Sequence, residues 1–114
     1  MNFNTLVQAI ADIHKQTRAG ASKAVNTALT LRNWLIGACI HEFELNGDER
    51  AVYGEGLFVR IAQELATRAI PGCDKSRLYR YSDFYRLYPQ IVAALSPQLR
   101  KFLPEKPESV KKHQ

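Results

Sequence analysis

DKSRLYRYSDFYRLYP, residues 74–89, decides how this chain is read. Four tyrosines, one phenylalanine and three arginines share sixteen positions. Exposed aromatics cost free energy and arginines are rarely buried, so the segment has to sort them. A helix does this. Asp74 is a good N-cap, and Pro89 ends the run. At 100° per residue, Leu78, Tyr81, Phe84, Tyr85 and Tyr88 fall on one arc, the expected buried face. Lys75, Tyr79, Ser82 and Arg86 follow one another on the opposite side, flanked by Ser76, Arg80 and Asp83.

The segments before it read as helices too, because none alternates apolar and polar residues long enough to make a strand. A first helix is expected from Asn4 or Thr5 to about Thr17, with Arg18-Ala19-Gly20 as a weak point. A second runs from about Ser22 to Leu45. Its polar side holds Lys23, Asn26, Thr30, Asn33, Gly37, His41 and Glu44, and its apolar arc is wider than that of a surface helix. Such a helix either crosses the middle of the domain or buries a second face against another copy, so a homodimer through residues 22–45 is one expected partner. Asn46-Gly47-Asp48 ends it with turn chemistry. A third helix covers about 54–68, and Ile70-Pro71-Gly72-Cys73 forbids its continuation. A short helix is expected at 91–95. The fold class is therefore all-α: a compact domain of four to five helices over residues 1–95. Residues 96–114, with Pro97, Pro104 and Pro107 among many charges, read as a proline-rich tail or linker.

Composition sets limits. With 114 residues, 46% of them hydrophobic and 24% charged, the chain suits one domain with a real core. No apolar run reaches membrane-span length, and the N-terminus lacks the pattern of a signal peptide. Cys39 and Cys73, far apart and outside any CxxC, read as two buried thiols of a cytoplasmic protein. The net charge is +5. It is unevenly spread: residues 42–55 are net acidic, while 57–88 and the tail from Arg100 are net basic.

A helix, a short turn and an amphipathic helix with a basic outer face make up a helix-turn-helix-like pair, over about 54–68 and 74–88. Its second helix would offer Lys75, Ser76, Tyr79, Arg80, Ser82 and Arg86 to DNA. Arginine and lysine neutralise phosphate or chelate guanine edges, serine donates to phosphate, and tyrosine stacks. The helix start at Lys75–Arg77 also favours an anion.

Catalysis finds no support. His41-Glu42 lacks the second histidine of a zinc protease, since Leu45 stands at that position. His14, His41 and His113 share no metal-ligand spacing with the cysteines, so no metal or cofactor is expected. Glu42 and Glu44 read as the solvated end of a helix. Tyr53-Gly54-Glu55-Gly56 follows no strand and lacks a P-loop lysine, so it reads as a tight entry into the third helix.

Three segments together resemble one family: LRNWLIGACIHEFE (31–44), ERAVYGEGLFVRIAQEL (49–65) and DKSRLYRYSDFYRLYPQI (74–91). Their order and spacing are similar to the N-terminal domain of the YhcG family, the domain of unknown function numbered 1016. Trp34, Ile36 and Gly37 match its first motif. Tyr53, Gly54, Ile61 and Leu65 match the second, and Leu78, Phe84, Tyr85, Tyr88 and Pro89 the third. Trp34, Ile36, Leu78, Phe84, Tyr85 and Tyr88 are expected in the core. The resemblance implies a DNA-binding, helix-turn-helix-like or winged-helix-like module that precedes a PD-(D/E)xK nuclease domain. No such domain follows Pro89 here, so this chain is not expected to be an enzyme.

Overall fold

The computed structural model describes residues 1–46 and 56–104. The chain divides into two compact units, Met1–Thr30 and Leu31–Gln114. Among the described residues all regular structure is helical. The expected turn after Asn46, the Tyr53-Gly54 motif and the end of the tail lie outside the described residues.

The first two expected helices are one. Helix α1 runs Phe3–Asn46 without a break at Gly20. A mid-helix glycine costs about 1 kcal/mol against alanine, too little to stop a helix with no proline and with Ala19, Ala21 and Ala24 around the glycine. The cap is Asn2 rather than Asn4 or Thr5: its side-chain oxygen accepts the Thr5 N–H at 2.8 Å. Thr17, Thr27 and Thr30 return their hydroxyls to carbonyls one turn back, which satisfies them inside the helix. Every described side chain of residues 1–30 is exposed except Ala9.

The second unit builds its core on the other part of α1. Helix α2 is Leu57–Thr67, helix α3 is Lys75–Leu87, and a 3-10 segment, Pro89–Ala94, leads to the short helix α4, Pro97–Arg100. One cluster gathers Ile40, Phe58, Cys73 and Leu78, with Ile36, Ile61, Leu65 and Tyr81 packed on it. A second gathers Trp34, Leu35 and Leu95, with Phe84, Tyr85, Ile91, Leu99 and Leu103 around it. The wide apolar arc over residues 31–43 is thus covered within the chain. Residues 36 and 40 serve one cluster and residues 34 and 35 the other, while Cys39 and Leu45 of the same stretch stay exposed. Residues 96–103, expected as the start of a tail, instead cap the Trp34 cluster through Leu99 and Leu103.

Gly37 explains how α1 meets α3. A Cβ placed on Gly37 would lie 1.9 Å from the Tyr81 carbonyl oxygen and 3.1 Å from Tyr85 Cβ. The two backbones touch there, and only a residue without a side chain fits. Gly37, assigned to the polar side of its helix by its neighbours, is buried.

The thiols depart from expectation. Cys73 is buried, but Cys39 is exposed. Partial burial still pushes the Cys39 thiol up, away from the reactive thiolate. We expect a maleimide to modify one cysteine, Cys39, in the folded chain and both after denaturation, counted by intact mass. Two fast modifications would place Cys73 outside the core.

Candidate nucleic-acid interface

The α2–α3 pair is joined by residues 68–74, and the turn is held from three sides. The chain leaves α2 through Ala69, at φ 56°, with Ile70 N–H bonded to the Leu65 carbonyl and Ala69 N–H to the Ala66 carbonyl. This is a Schellman-type ending with alanine where glycine is usual. Gly72, at φ 70°, makes the second bend. Tyr81 on α3 donates its hydroxyl to the Gly72 carbonyl at 2.6 Å. Arg32 on α1 donates to the Pro71 carbonyl at 2.9 Å and to Cys73 Sγ at 3.3 Å. Arg32 is the positioning residue that sequence reasoning missed. Its signal was a lone cation inside the apolar run LTLRNWL.

The start of α3 satisfies itself. Asp74 accepts the Arg77 backbone N–H and pairs with the Arg77 guanidinium at 2.9 Å. The anion expected at this helix start is therefore the protein's own carboxylate. Slight desolvation pushes the Asp74 carboxyl up, but the two backbone N–H groups and Arg77 outweigh it, and the net direction is down. A depressed carboxyl adds stability above its unfolded value, near 3.9, and loses it as pH falls through the folded value. Asp74→Asn keeps the cap but not the titration. We expect α3 in that variant to lose less helicity than the parent between about pH 4 and 2, followed by circular dichroism. Equal loss in the two proteins would contradict the assignment.

The six expected contact residues separate. Lys75, Ser76 and Arg80 are exposed, and among the described residues the side chains of Lys75 and Arg80 meet no hydrogen-bond or ion-pair partner. Arg86 is exposed and paired with Asp83. Ser82 is buried at 6% exposure, so it is not an outer residue. Tyr79 lies flat on Phe58, ring centroids 3.9 Å apart and 11° from parallel, so its face is already used against α2. Tyr88, expected inside, is about half exposed. Its backbone is what the core uses: the Trp34 indole N–H donates to the Tyr88 carbonyl at 2.9 Å.

The buried residues Leu78 and Ser82 lie to one side of the expected aromatic arc, so the buried face of α3 is turned toward Ser82. The true outer stripe is Ser76, Arg80, Asp83 and Leu87, with Lys75 and Arg77 at its N-terminal end. Tyr79, Ser82 and Arg86 turn instead toward a shallow cleft shared with His41, Glu44 and Leu45. Among the described residues no group of His, Cys, Asp or Glu is arranged to hold a metal ion. No helix there is long and apolar enough to cross a membrane.

The sequence pattern of one protein family, the DUF1016 N-terminal domain, matches residues 9–102. No curated protein and no solved structure matches the chain. The motif residues converge in the second unit: Trp34, Ile36 and Gly37 from α1, Ile61 and Leu65 from α2, and Leu78, Phe84 and Tyr85 from α3. Their shared pattern describes a core and a helix crossing rather than a chemical site.

Proposed function

The chain belongs to the family of the DUF1016 N-terminal domain, and on that premise we propose that it is a DNA-binding module whose α3 meets the duplex. In this reading it would position a PD-(D/E)xK nuclease domain carried in the same polypeptide, and any catalysis would belong to that domain.

The observation that carries the reading is a pair of cations whose side chains meet no partner among the described residues. Lys75 and Arg80 stand exposed beside Ser76 on a helix whose entry turn is held by Arg32 and Tyr81. Phosphate oxygens supply the acceptors that these side chains lack. Among the described residues Arg77 and Arg86 are paired with exposed carboxylates three residues away. Exposed pairs of this kind are worth at most about 1 kcal/mol, so both arginines are able to exchange a carboxylate for a phosphate. Tyr79 and Ser82 leave the contact set, and Arg77 enters it.

The sorted set gives a graded expectation. Lys75→Ala and Arg80→Ala should each weaken binding to a random-sequence duplex and reduce its salt dependence by about one phosphate contact. Ser82→Ala should leave the salt dependence as it is. If Ser82→Ala flattens the salt slope as much as Arg80→Ala does, the outer stripe is misassigned.

A further inference from the structure

We propose that residues 3–29 of α1 pair with the same residues of a second copy of this chain, antiparallel, about a two-fold axis near Thr17. The inference rests on the first unit alone and is independent of the DNA reading. Phe3, Leu6, Val7, Ile10 and Ile13 are 45 to 77% exposed. They share one arc of α1 with Thr17, Ala21, Ala24 and Ala28 at helical spacing. The four charged side chains of this unit, Asp12, Lys15, Arg18 and Lys23, lie off that arc.

The size pattern along the arc names the occupant. Its N-terminal half is bulky and its C-terminal half, apart from Val25 at its edge, is small. Helix axes pack 8–10 Å apart depending on the side chains between them. A parallel pair would set bulky on bulky at one end and small on small at the other, and one separation cannot fill both. An antiparallel pair sets Leu6, Ile10 and Ile13 of each chain against Ala28, Ala24 and Ala21 of the other. Each of these three layers then holds one large and one small residue at constant spacing, which close packing requires. Thr17 meets its own copy with its hydroxyl already bonded to the Ile13 carbonyl at 2.8 Å, so it presents its methyl group. The arrangement is isologous, as a two-fold dimer demands.

Most helical stability in proteins comes from packing an apolar face, and the second copy supplies the partner face.

Sedimentation velocity on the full chain at about 100 μM tests the pairing, and a mass twice that of the chain is expected. Ile10→Asp should return it to monomer while the second unit keeps its thermal transition. Ala24→Leu should also weaken the dimer, although it adds apolar surface, because the small position would be filled. Orientation is read by disulfide trapping in a Cys39→Ser background. A mixture of Ile10→Cys and Ala24→Cys chains should cross-link between the two variants, and Ile10→Cys alone should not. A monomer at that concentration, a tighter dimer with Ala24→Leu, or self-linked Ile10→Cys would each overturn the proposal.

Discussion

Gly37→Ala is expected to destabilise the second unit by about 2–3 kcal/mol, and Gly37→Val to prevent its folding. The reason is geometric. The added methyl would sit 1.9 Å from the Tyr81 carbonyl oxygen and 2.6 Å from its carbon. Both atoms are backbone in the middle of α3, so no rotamer change relieves the clash; the helices must separate. Separation would loosen Leu78 and Trp34, the two largest fully buried side chains. Against this stands the gain in helix propensity, about 1 kcal/mol. Gly20 in the same helix isolates that gain, because a Cβ there meets nothing within 4 Å. Gly20→Ala should therefore stabilise, by up to about 1 kcal/mol. Two glycine-to-alanine changes in one helix should move the melting temperature in opposite directions. A gain at both sites would mean that α1 and α3 do not cross at Gly37.

Trp34→Ala should cost about 3–5 kcal/mol, a large part of the stability of a small domain. Trp34 is 1% exposed and joins three elements. Its ring meets Tyr85 edge-on at 5.0 Å, its neighbours in the cluster include Leu95 and Leu99, and its N–H fixes the end of α3 through the Tyr88 carbonyl. Trp34→Phe separates these roles. It keeps most of the packing but leaves the Tyr88 carbonyl without its donor, so about 1–2 kcal/mol should be lost. Denaturant titration followed by circular dichroism reads both variants. Equal costs for alanine and phenylalanine would assign the whole effect to the hydrogen bond.

The sequence was most legible where a local rule acts alone. Asp74 caps α3 as its type and position predict, and Pro89 ends it. The all-α class followed from periodicity. What periodicity could not supply was the direction from which another helix would approach. The wheel of α3 centres on its aromatic residues, so Tyr88 was placed inside and Ser82 outside. The structure reverses them, and the contact of α1 with α3 at Gly37 was equally hidden, because a glycine carries no hydrophobic signal. Tyr79 was misread for a related reason: its partner, Phe58, comes from another helix. Gly20 shows the opposite error, a glycine read as a weak point in a helix that passes through it. The exposure of Lys75, Ser76 and Arg80 was legible because helix geometry places them away from the described neighbouring helices.

The central claim is that the exposed face of α3 binds duplex DNA, and fluorescence anisotropy tests it most directly. The full chain would be titrated against a labelled random-sequence duplex at about 50 mM and 200 mM salt, beside the Lys75→Glu/Arg80→Glu variant. The expected result is binding at low salt that weakens at least tenfold at the higher salt, and is lost in the charge-reversed variant whose melting temperature is unchanged. No binding at low salt, or equal binding by the reversed variant, would contradict the claim and leave the basic face of α3 merely solvated.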